Sequence, residues 1–270
     1  MDVRAPAPQH WMSSQGFVIE LLLAHLVPAL IALVCVGGAT RVMNAGLACP
    51  DWPLCFGTLL PGHQMNLQVF LEWFHRLDAF LIGVALLALA ITIWLRQSTM
   101  PAWMPWASAA SLLLVVLQGA LGAMTVTGLL APSTVTSHLV VALTLVLLVS
   151  GMHQAWRTSS QAWLEQPLPQ RDQRQSPIAR RVTWTGLRVQ VLWFALLALA
   201  TISLFIQCAL GASMASRWAA SLCLEGGEGC QWLLWHRISA WVVAVSLVLV
   251  GGSTLFLPQQ LVTLRWLART

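Results

Sequence analysis

Long apolar runs separated by short polar segments dominate the chain. Six runs approach or exceed the roughly 20 residues that a transmembrane helix needs. They cover about 18–38, 69–95, 106–127, 133–155, 189–213 and 232–256. None alternates in polarity as the strands of a membrane β-barrel do. The pattern therefore predicts an all-α fold, a polytopic membrane helical bundle with six transmembrane helices.

The longest polar segment lies between the fourth and fifth runs. Residues 157–188 are rich in Gln, Arg and Pro and have no apolar period, which is typical of a linker. We therefore predict a first transmembrane bundle over residues 1–156, a cytoplasmic linker over 157–188 and a second bundle over 189–270.

Composition and charge agree with a membrane protein. The chain is 58% hydrophobic and 9% charged, with a mean hydropathy of +0.74, whereas soluble domains carry about 25% charged residues. The net charge of +5 comes from arginines that collect on one side of the six-span topology, namely Arg4, Arg96, Arg157, Arg171, Arg174, Arg180, Arg181, Arg188, Arg265 and Arg269. By the positive-inside rule this side is cytoplasmic, with both termini there. A lipid membrane is therefore the expected partner, and a bacterial inner membrane is the expected location. The arginines do not indicate nucleic-acid binding.

Four of the six cysteines form two closely spaced pairs in the two larger outer loops. Cys49 and Cys55 make one pair, and Cys223 and Cys230 make the other. Close pairs on the oxidising side of a membrane predict two disulfides. Whether these only staple the loops or also take part in thiol chemistry beside a site stays open. A zinc site is less favoured, because no Cys/His pair with finger spacing accompanies them.

Three histidines share one depth in the predicted membrane. His75, His138 and His236 each lie within about two turns of the outer end of a different span. Imidazoles that face each other from neighbouring helices can ligate a haem iron, although interfacial histidines with hydrogen-bonded neighbours would give the same pattern. Glu72 precedes His75 by three positions, so the acid and the imidazole share a helix face.

Two sets of segments repeat along the chain. EWFHR (Glu72–Arg76) and LLWHR (Leu233–Arg237) both place His-Arg at the head of a span, and Q-x-A-L-G-A occurs at Gln118–Ala123 and again at Gln207–Ala212. Such repeats often build membrane cofactor sites between them. The copies differ in one respect, because Leu233 stands where the first copy has Glu72. Chemistry that needs an acid is therefore expected in the first half.

Together these segments resemble the haem A synthase family. The resemblance is carried by GGATR, GLACPDWPLCFG, EWFHR, QGALGAMTV and PSTVTSHL in the first half and by QCALGA and WHR in the second. It implies two four-helix bundles related by pseudo-twofold symmetry. It also implies an oxidoreductase that converts haem O to haem A by oxidising the methyl at ring position 8 to a formyl group, for terminal cytochrome oxidases.

The resemblance assigns roles to individual residues. His75 and His138 would hold the substrate haem O through its iron, with Glu72 as the catalytic acid. His236 would be an axial ligand of a haem b in the second half. Arg76 and Arg237 could pair with haem propionates or could simply be interfacial arginines. The implied partners are haem O synthase, cytochrome oxidase assembly proteins and an unidentified electron donor. Whether the chain forms a homo-oligomer stays open.

One departure from the family pattern concerns the second half. The family has eight spans, whereas this sequence has six, so the duplicated four-helix-bundle plan is expected to have an incomplete second half. Two other functions remain in competition with the enzyme. One is a b-type haem protein that only transfers electrons, and the other is a haem-handling assembly factor with impaired catalysis. Two features favour the enzyme: the acid Glu72 beside His75, and the loop that contains Cys49 and Cys55.

Overall fold

The computed structural model describes residues 14–164, 184–216 and 228–256, and these residues form an all-α structure. In chain order the helices are α1 (Ser14–Val42), α2 (Leu67–Trp94), α3 (Met104–Thr127), α4 (Pro132–Leu164), α5 (Trp184–Ser216) and α6 (Glu228–Phe256), with a short 3₁₀ helix at Gln97–Thr99 between α2 and α3.

All six helices are long and apolar enough to cross a membrane. This confirms the predicted fold class and the six spans, which makes the chain an integral, multi-pass membrane protein. Helices α4 and α5 extend beyond their apolar runs. They reach Leu164 and begin at Trp184, so both continue into the segment predicted as linker. The remainder of that segment, residues 165–183, lies outside the described residues.

Local sequence accounts for several helix ends. Asn66 caps α2, because its side-chain oxygen accepts a hydrogen bond of 2.9 Å from the Val69 amide. Pro105 lies in the first turn of α3 and Pro132 begins α4, where a missing amide proton costs nothing. Gly128 ends α3, four residues before α4 begins, so a short connection joins these two helices.

The described residues divide into two compact units: the first contains residues 14–157 together with Ala215 and Ser216, and the second contains the remainder. In the first unit, α1 to α4 pack around a core that lies away from the loop joining α1 and α2. Its buried members occupy the first half of α1, the second half of α2, the start of α3 and the second half of α4: Ile19, Leu23, Leu26, Leu30, Ile82, Leu86, Leu89, Ile93, Met104, Leu145, Val149, Met152 and Trp156.

The other half of this bundle is packed differently. At the end nearest the α1–α2 loop, the helices contribute glycines, histidines and an acid in place of large buried aliphatic side chains. The first unit therefore has a stable apolar end and a polar end, which we call the loop end.

Candidate functional site

The loop between α1 and α2 (residues 43–66) is the most constrained part of the loop end. Cys49 and Cys55 are joined by a disulfide, with their Cα atoms 4.8 Å apart, and both residues are buried. This confirms the first predicted pair. Across the described ranges, no three His, Cys, Asp or Glu side chains converge as a metal site would require, so the disfavoured zinc hypothesis gains no support.

Asp51 closes the turn between the two cysteines. Its carboxylate accepts hydrogen bonds of 2.7 Å from the amides of Phe56 and Gly57, residues that adopt positive φ angles of 55° and 72°. The Gly57 amide is the main reason why the pKa of Asp51 lies below its ordinary value, with the Phe56 amide adding to the effect. The turn is thus stabilised by a charged acceptor as well as by the disulfide.

Glu72 and Arg76, one turn apart on α2, attach this loop to the helix. Glu72 is only 5% exposed. One of its oxygens accepts the Cys49 amide at 2.8 Å, and the other accepts from the Arg76 guanidinium at 2.5 Å. Arg76 also donates to the backbone carbonyls of Asp51 (2.5 Å), Leu54 (2.6 Å) and Cys49 (3.3 Å). The predicted acid and the predicted propionate partner therefore both contact the cysteine loop.

His75 lies on the same helix and packs against α1. It follows the start of α2 at Leu67 by eight positions, or ~12 Å along the axis at about 1.5 Å per residue. A Cβ placed on Gly37 would lie 2.9 Å from the Cε1 atom of His75. Only glycine therefore allows α1 to approach the imidazole this closely. Gly38, beside it, faces open space.

His138 has the equivalent environment between α3 and α4. It follows Pro132 by six positions, ~9 Å along the axis. A Cβ on Gly122 of α3 would lie 3.6 Å from its Cε1 atom. Gln118, one turn before Gly122, donates a hydrogen bond of 2.8 Å to the backbone carbonyl of His138. The Q-x-A-L-G-A segment of α3 thus contacts His138 through both its glutamine and its second glycine.

The two histidines of the first unit share an unusual property. Each has a buried Nδ1 atom without a hydrogen-bond partner among the described residues. A buried polar atom without a partner costs about 1–3 kcal/mol, and such atoms are rare in folded proteins. Two of them in one unit are therefore unusual.

His236 in α6 has the same type of neighbour but a different environment. A Cβ on Gly211 of α5 would lie 3.0 Å from its Cε1 atom. In contrast to the first unit, the side chain of Gln207 lies 3.1 Å from the ring Nδ1 atom. Arg237, the other predicted propionate partner, is exposed.

The second predicted cysteine pair is described only in part. Cys230 is disulfide-bonded, whereas Cys223 lies outside the described residues. Pairing between these two cysteines therefore stays a prediction.

Sequence analysis did not pair individual glycines with the three histidines, and it missed one contact between an acid and an imidazole. Gly37, Gly122 and Gly211 each lie against one of the three histidines, and the signal was their recurrence in similar segments on odd-numbered helices. At the opposite end of the first unit, the Glu20 carboxylate of α1 lies 3.3 Å from the His153 ring of α4. No sequence motif links these two residues, because they are far apart in the chain.

Comparison with known proteins gives the relationships of the chain. The COX15-CtaA profile, described as cytochrome oxidase assembly protein, matches residues 20–269. The chain is 34% identical to the heme A synthase of Shewanella oneidensis over 148 residues, which cover 48% of this chain and 42% of the relative. It is 32% identical to the heme A synthase of Bacillus pumilus over 107 residues, covering 39% of this chain and 34% of the relative.

A longer match is more distant in sequence. The heme A synthase of Erythrobacter litoralis is 27% identical over 281 aligned positions, which cover 82% of this chain and 76% of the relative. The matches to the Shewanella and Bacillus proteins each span less than half the length of those relatives. No solved structure gives a significant match. Because the family profile extends over nearly the whole sequence, the chain belongs to the COX15-CtaA family of cytochrome oxidase assembly proteins.

Proposed function

We propose that the first unit binds haem O between His75 and His138 and oxidises its ring methyl to a formyl group, yielding haem A. The observation that carries this proposal is the pair of imidazoles, on two different helices, whose buried Nδ1 atoms have no hydrogen-bond partner among the described residues. Histidine is the common protein ligand of haem iron. Relatives named heme A synthase support the choice of reaction.

The residues around the two imidazoles fit a flat macrocycle held through its iron. Gly37 and Gly122 keep the adjacent helix surfaces free of side chains at the two rings. The large buried aliphatic side chains of the bundle lie mainly toward its other end. When bound, the haem would be held in one orientation through its iron, and oxidation of its methyl would need an external electron acceptor, with water supplying the formyl oxygen. Histidine ligation by this chain would set that orientation.

Glu72 is the proposed acid of the reaction. A carboxylate beside the substrate can relay protons or stabilise developing positive charge. Its hydrogen bonds to Cys49 and Arg76 hold it beneath the disulfide loop. In this proposal the acid acts from that position, one turn before His75 on α2, and Arg76 serves mainly to hold the loop.

A second function has one observation in its favour. Both Glu72 oxygens already accept hydrogen bonds from the protein, as expected if the residue only anchors the loop. The first unit would then bind haem as a fixed group and transfer electrons, without changing the haem. The haem extracted from the purified protein distinguishes these two functions.

The test is expression of the full chain in membranes together with a source of haem O, followed by haem extraction and mass analysis. Hydroxylated and formyl haem beside haem O would support the proposed reaction. Haem b alone would support the electron carrier, and unmodified haem O alone would contradict catalysis.

Variants of the two histidines test the binding site. His75→Ala and His138→Ala should each lower the haem retained by the purified protein at least tenfold, because each removes one of the two axial ligands. His63→Ala is the control, since His63 is an exposed loop histidine. Retention of haem in both site variants at the parent level would refute the assignment.

A further inference from the structure

Two leucines at the tip of the α1–α2 loop present large apolar side chains outward. Leu59 is 83% exposed and Leu60 is 62% exposed. The backbone on either side of this pair is fixed. Before it, Thr58 exchanges two backbone hydrogen bonds with Cys55, of 3.0 and 3.2 Å. After it, Pro61 is fully buried. The exposure of the two leucines is therefore a property of a constrained segment.

A hydrogen bond from α2 sets the position of this tip along the helix. The indole Nε1 of Trp73 donates to the Leu59 carbonyl at 2.6 Å. Trp73 follows Leu67, the first residue of α2, by six positions, or ~9 Å along the axis at about 1.5 Å per residue. Helical side chains lean toward the N terminus of their helix, so the indole lies over the first two turns of α2. The loop tip thus lies beside the start of a membrane-spanning helix and not beyond its end.

The packing of Trp73 explains why the loop folds back to this level. The indole packs against the buried cluster of Cys49, Cys55 and Val69. The ring of Phe70 lies near it as well, with the two ring centroids 6.1 Å apart. A tryptophan N–H in such a position usually finds an acceptor, and here the Leu59 carbonyl supplies it. Trp73 therefore connects the disulfide loop to the surface of α2.

The surface next to the loop tip is an apolar face of α2. Phe70 and Phe74 stack one turn apart, with ring centroids 5.7 Å apart, and both are exposed. Leu77 and Leu81 continue the same helix face at spacings of three and four residues, and they are exposed too. Because α2 is long and apolar enough to cross a membrane, this face meets lipid. Leu59 adjoins it through Trp73, the neighbour of Phe70.

The length and polarity of α2 indicate which part of the membrane the tip reaches. Its 28 residues span ~42 Å, which exceeds the roughly 30 Å of a hydrocarbon core. Gln68, Glu72 and Arg76 make the first turns the polar end of the helix, so the excess length falls largely there. These turns then lie where headgroups meet acyl chains, the level at which tryptophan is enriched in membrane proteins.

We propose that Leu59 and Leu60 insert into the membrane leaflet on the loop side, at the boundary between headgroups and acyl chains, and that Trp73 holds them at this depth. Lipid is the assigned partner because the tip continues a helix face that meets lipid. Residues 56–62 also contain no charged side chain, as interfacial insertion requires. The membrane surface then supports the loop that contacts Glu72. This inference does not depend on the proposed haem chemistry.

The test is spin labelling of the full chain in lipid nanodiscs that each hold one copy. Leu59→Cys and Leu60→Cys are made with the two free cysteines removed by Cys35→Ala and Cys208→Ala. His63→Cys is the matched control, because His63 is exposed in the same loop. Protein without a new cysteine is labelled in parallel to subtract residual signal. Collisions of each label with oxygen, which concentrates in lipid, are compared with collisions with a water-soluble nickel chelate.

Labels at Leu59 and Leu60 should collide more with oxygen than with the chelate, whereas the label at His63 should collide readily with the chelate. Ready collision with the chelate at Leu59 and Leu60 would place the tip in water and overturn the proposal. Poor collision with both reagents would place it against protein and overturn the proposal as well.

Trp73→Phe tests the part played by the hydrogen bond, because it keeps an aromatic ring and removes the N–H donor. Combined with Leu59→Cys, it should raise collision with the chelate and lower collision with oxygen. Trp106→Phe is the control, since Trp106 is an exposed tryptophan of α3, and it should leave the label at Leu59 unchanged. Unchanged collisions in Trp73→Phe would refute its role in setting the depth. Failure of the proposed haem O oxidation would leave these measurements unaffected.

Discussion

At the scale of single residues, Glu72 shows how a tertiary contact changes the interpretation of a motif. Its spacing from His75 predicts an acid on the same helix face as the imidazole. In the folded protein the carboxylate reaches the Cys49 amide and the Arg76 guanidinium. Glu72 therefore has a structural task in addition to the catalytic one that we propose.

Glu72→Gln separates these two tasks. The glutamine oxygen can still accept a hydrogen bond from the Cys49 amide, but the glutamine NH2 group would face the Arg76 donors. Losing one partner of a buried ion pair costs about 3–5 kcal/mol. The 15% exposure of the Arg76 side chain reduces this cost. We expect faster hydrogen exchange across residues 43–66 and at least tenfold less formyl haem, with haem binding retained.

The control for this variant is Asp78→Asn, the same acid-to-amide change on the same helix. It should leave both readouts near the parent values. Loss of product in Glu72→Gln with unchanged exchange in the loop would assign Glu72 to catalysis alone. Parent-level product would eliminate the catalytic role.

At the scale of helices, a glycine on one helix faces a histidine on the next in three places. Gly37 faces His75, Gly122 faces His138 and Gly211 faces His236. Small residues allow helix backbones to approach closely in a membrane. Here the close approach is between a helix surface and an imidazole, so the glycines help to set where each ring lies.

Gly37→Ala tests this arrangement. The added Cβ would lie 2.9 Å from the Cε1 atom of His75, so the ring or α1 must shift. Overpacking of this kind costs about 1–3 kcal/mol, which would weaken haem retention about 5- to 150-fold if all of it fell on binding. Haem content and the absorption spectrum of the purified variant measure the effect.

Gly38→Ala is the matched control. It makes the same change in helix propensity one position away, where a Cβ meets nothing within 4 Å. It should retain haem as the parent does. Equal loss in both variants would indicate a general effect on α1, and no loss in either would show that the close approach is unnecessary.

At the scale of the whole molecule, the apolar core and the polar groups of the first unit lie at opposite ends of the bundle. Large aliphatic side chains fill the end away from the cysteine loop, and the Glu20–His153 pair joins α1 to α4 at that end. The loop end contains the disulfide, the buried Glu72 and the two histidines. A bundle with an apolar core at one end can keep polar groups at the other.

The distribution of arginines predicts the orientation of this molecule. Both termini and the 157–188 segment should be cytoplasmic, and the 43–66 loop should lie on the opposite side. A reporter active only in the cytoplasm should work when fused to the N terminus or inserted within residues 165–183. It should be inactive when inserted after the exposed His63. Activity after His63 would reverse the topology.

The sequence by itself determined the membrane class, the six spans and the Cys49–Cys55 pair. Each of these depends on local composition or short spacing, because a span needs only a long apolar run and the two cysteines are close in the chain. The sequence also selected His75 and His138 as candidates, from their similar distances to helix starts.

Only the tertiary structure decided which partners these residues have. It placed Glu72 and Arg76 against the cysteine loop, set glycines against three histidines and gave Gln207, but not Gln118, a contact with an imidazole ring. Helical periodicity fixes the face on which a side chain lies. It does not fix which atom of a neighbouring helix that side chain meets, because this depends on how the helices pack. The glutamines show the difference, since two similar segments give different ring contacts in the two units.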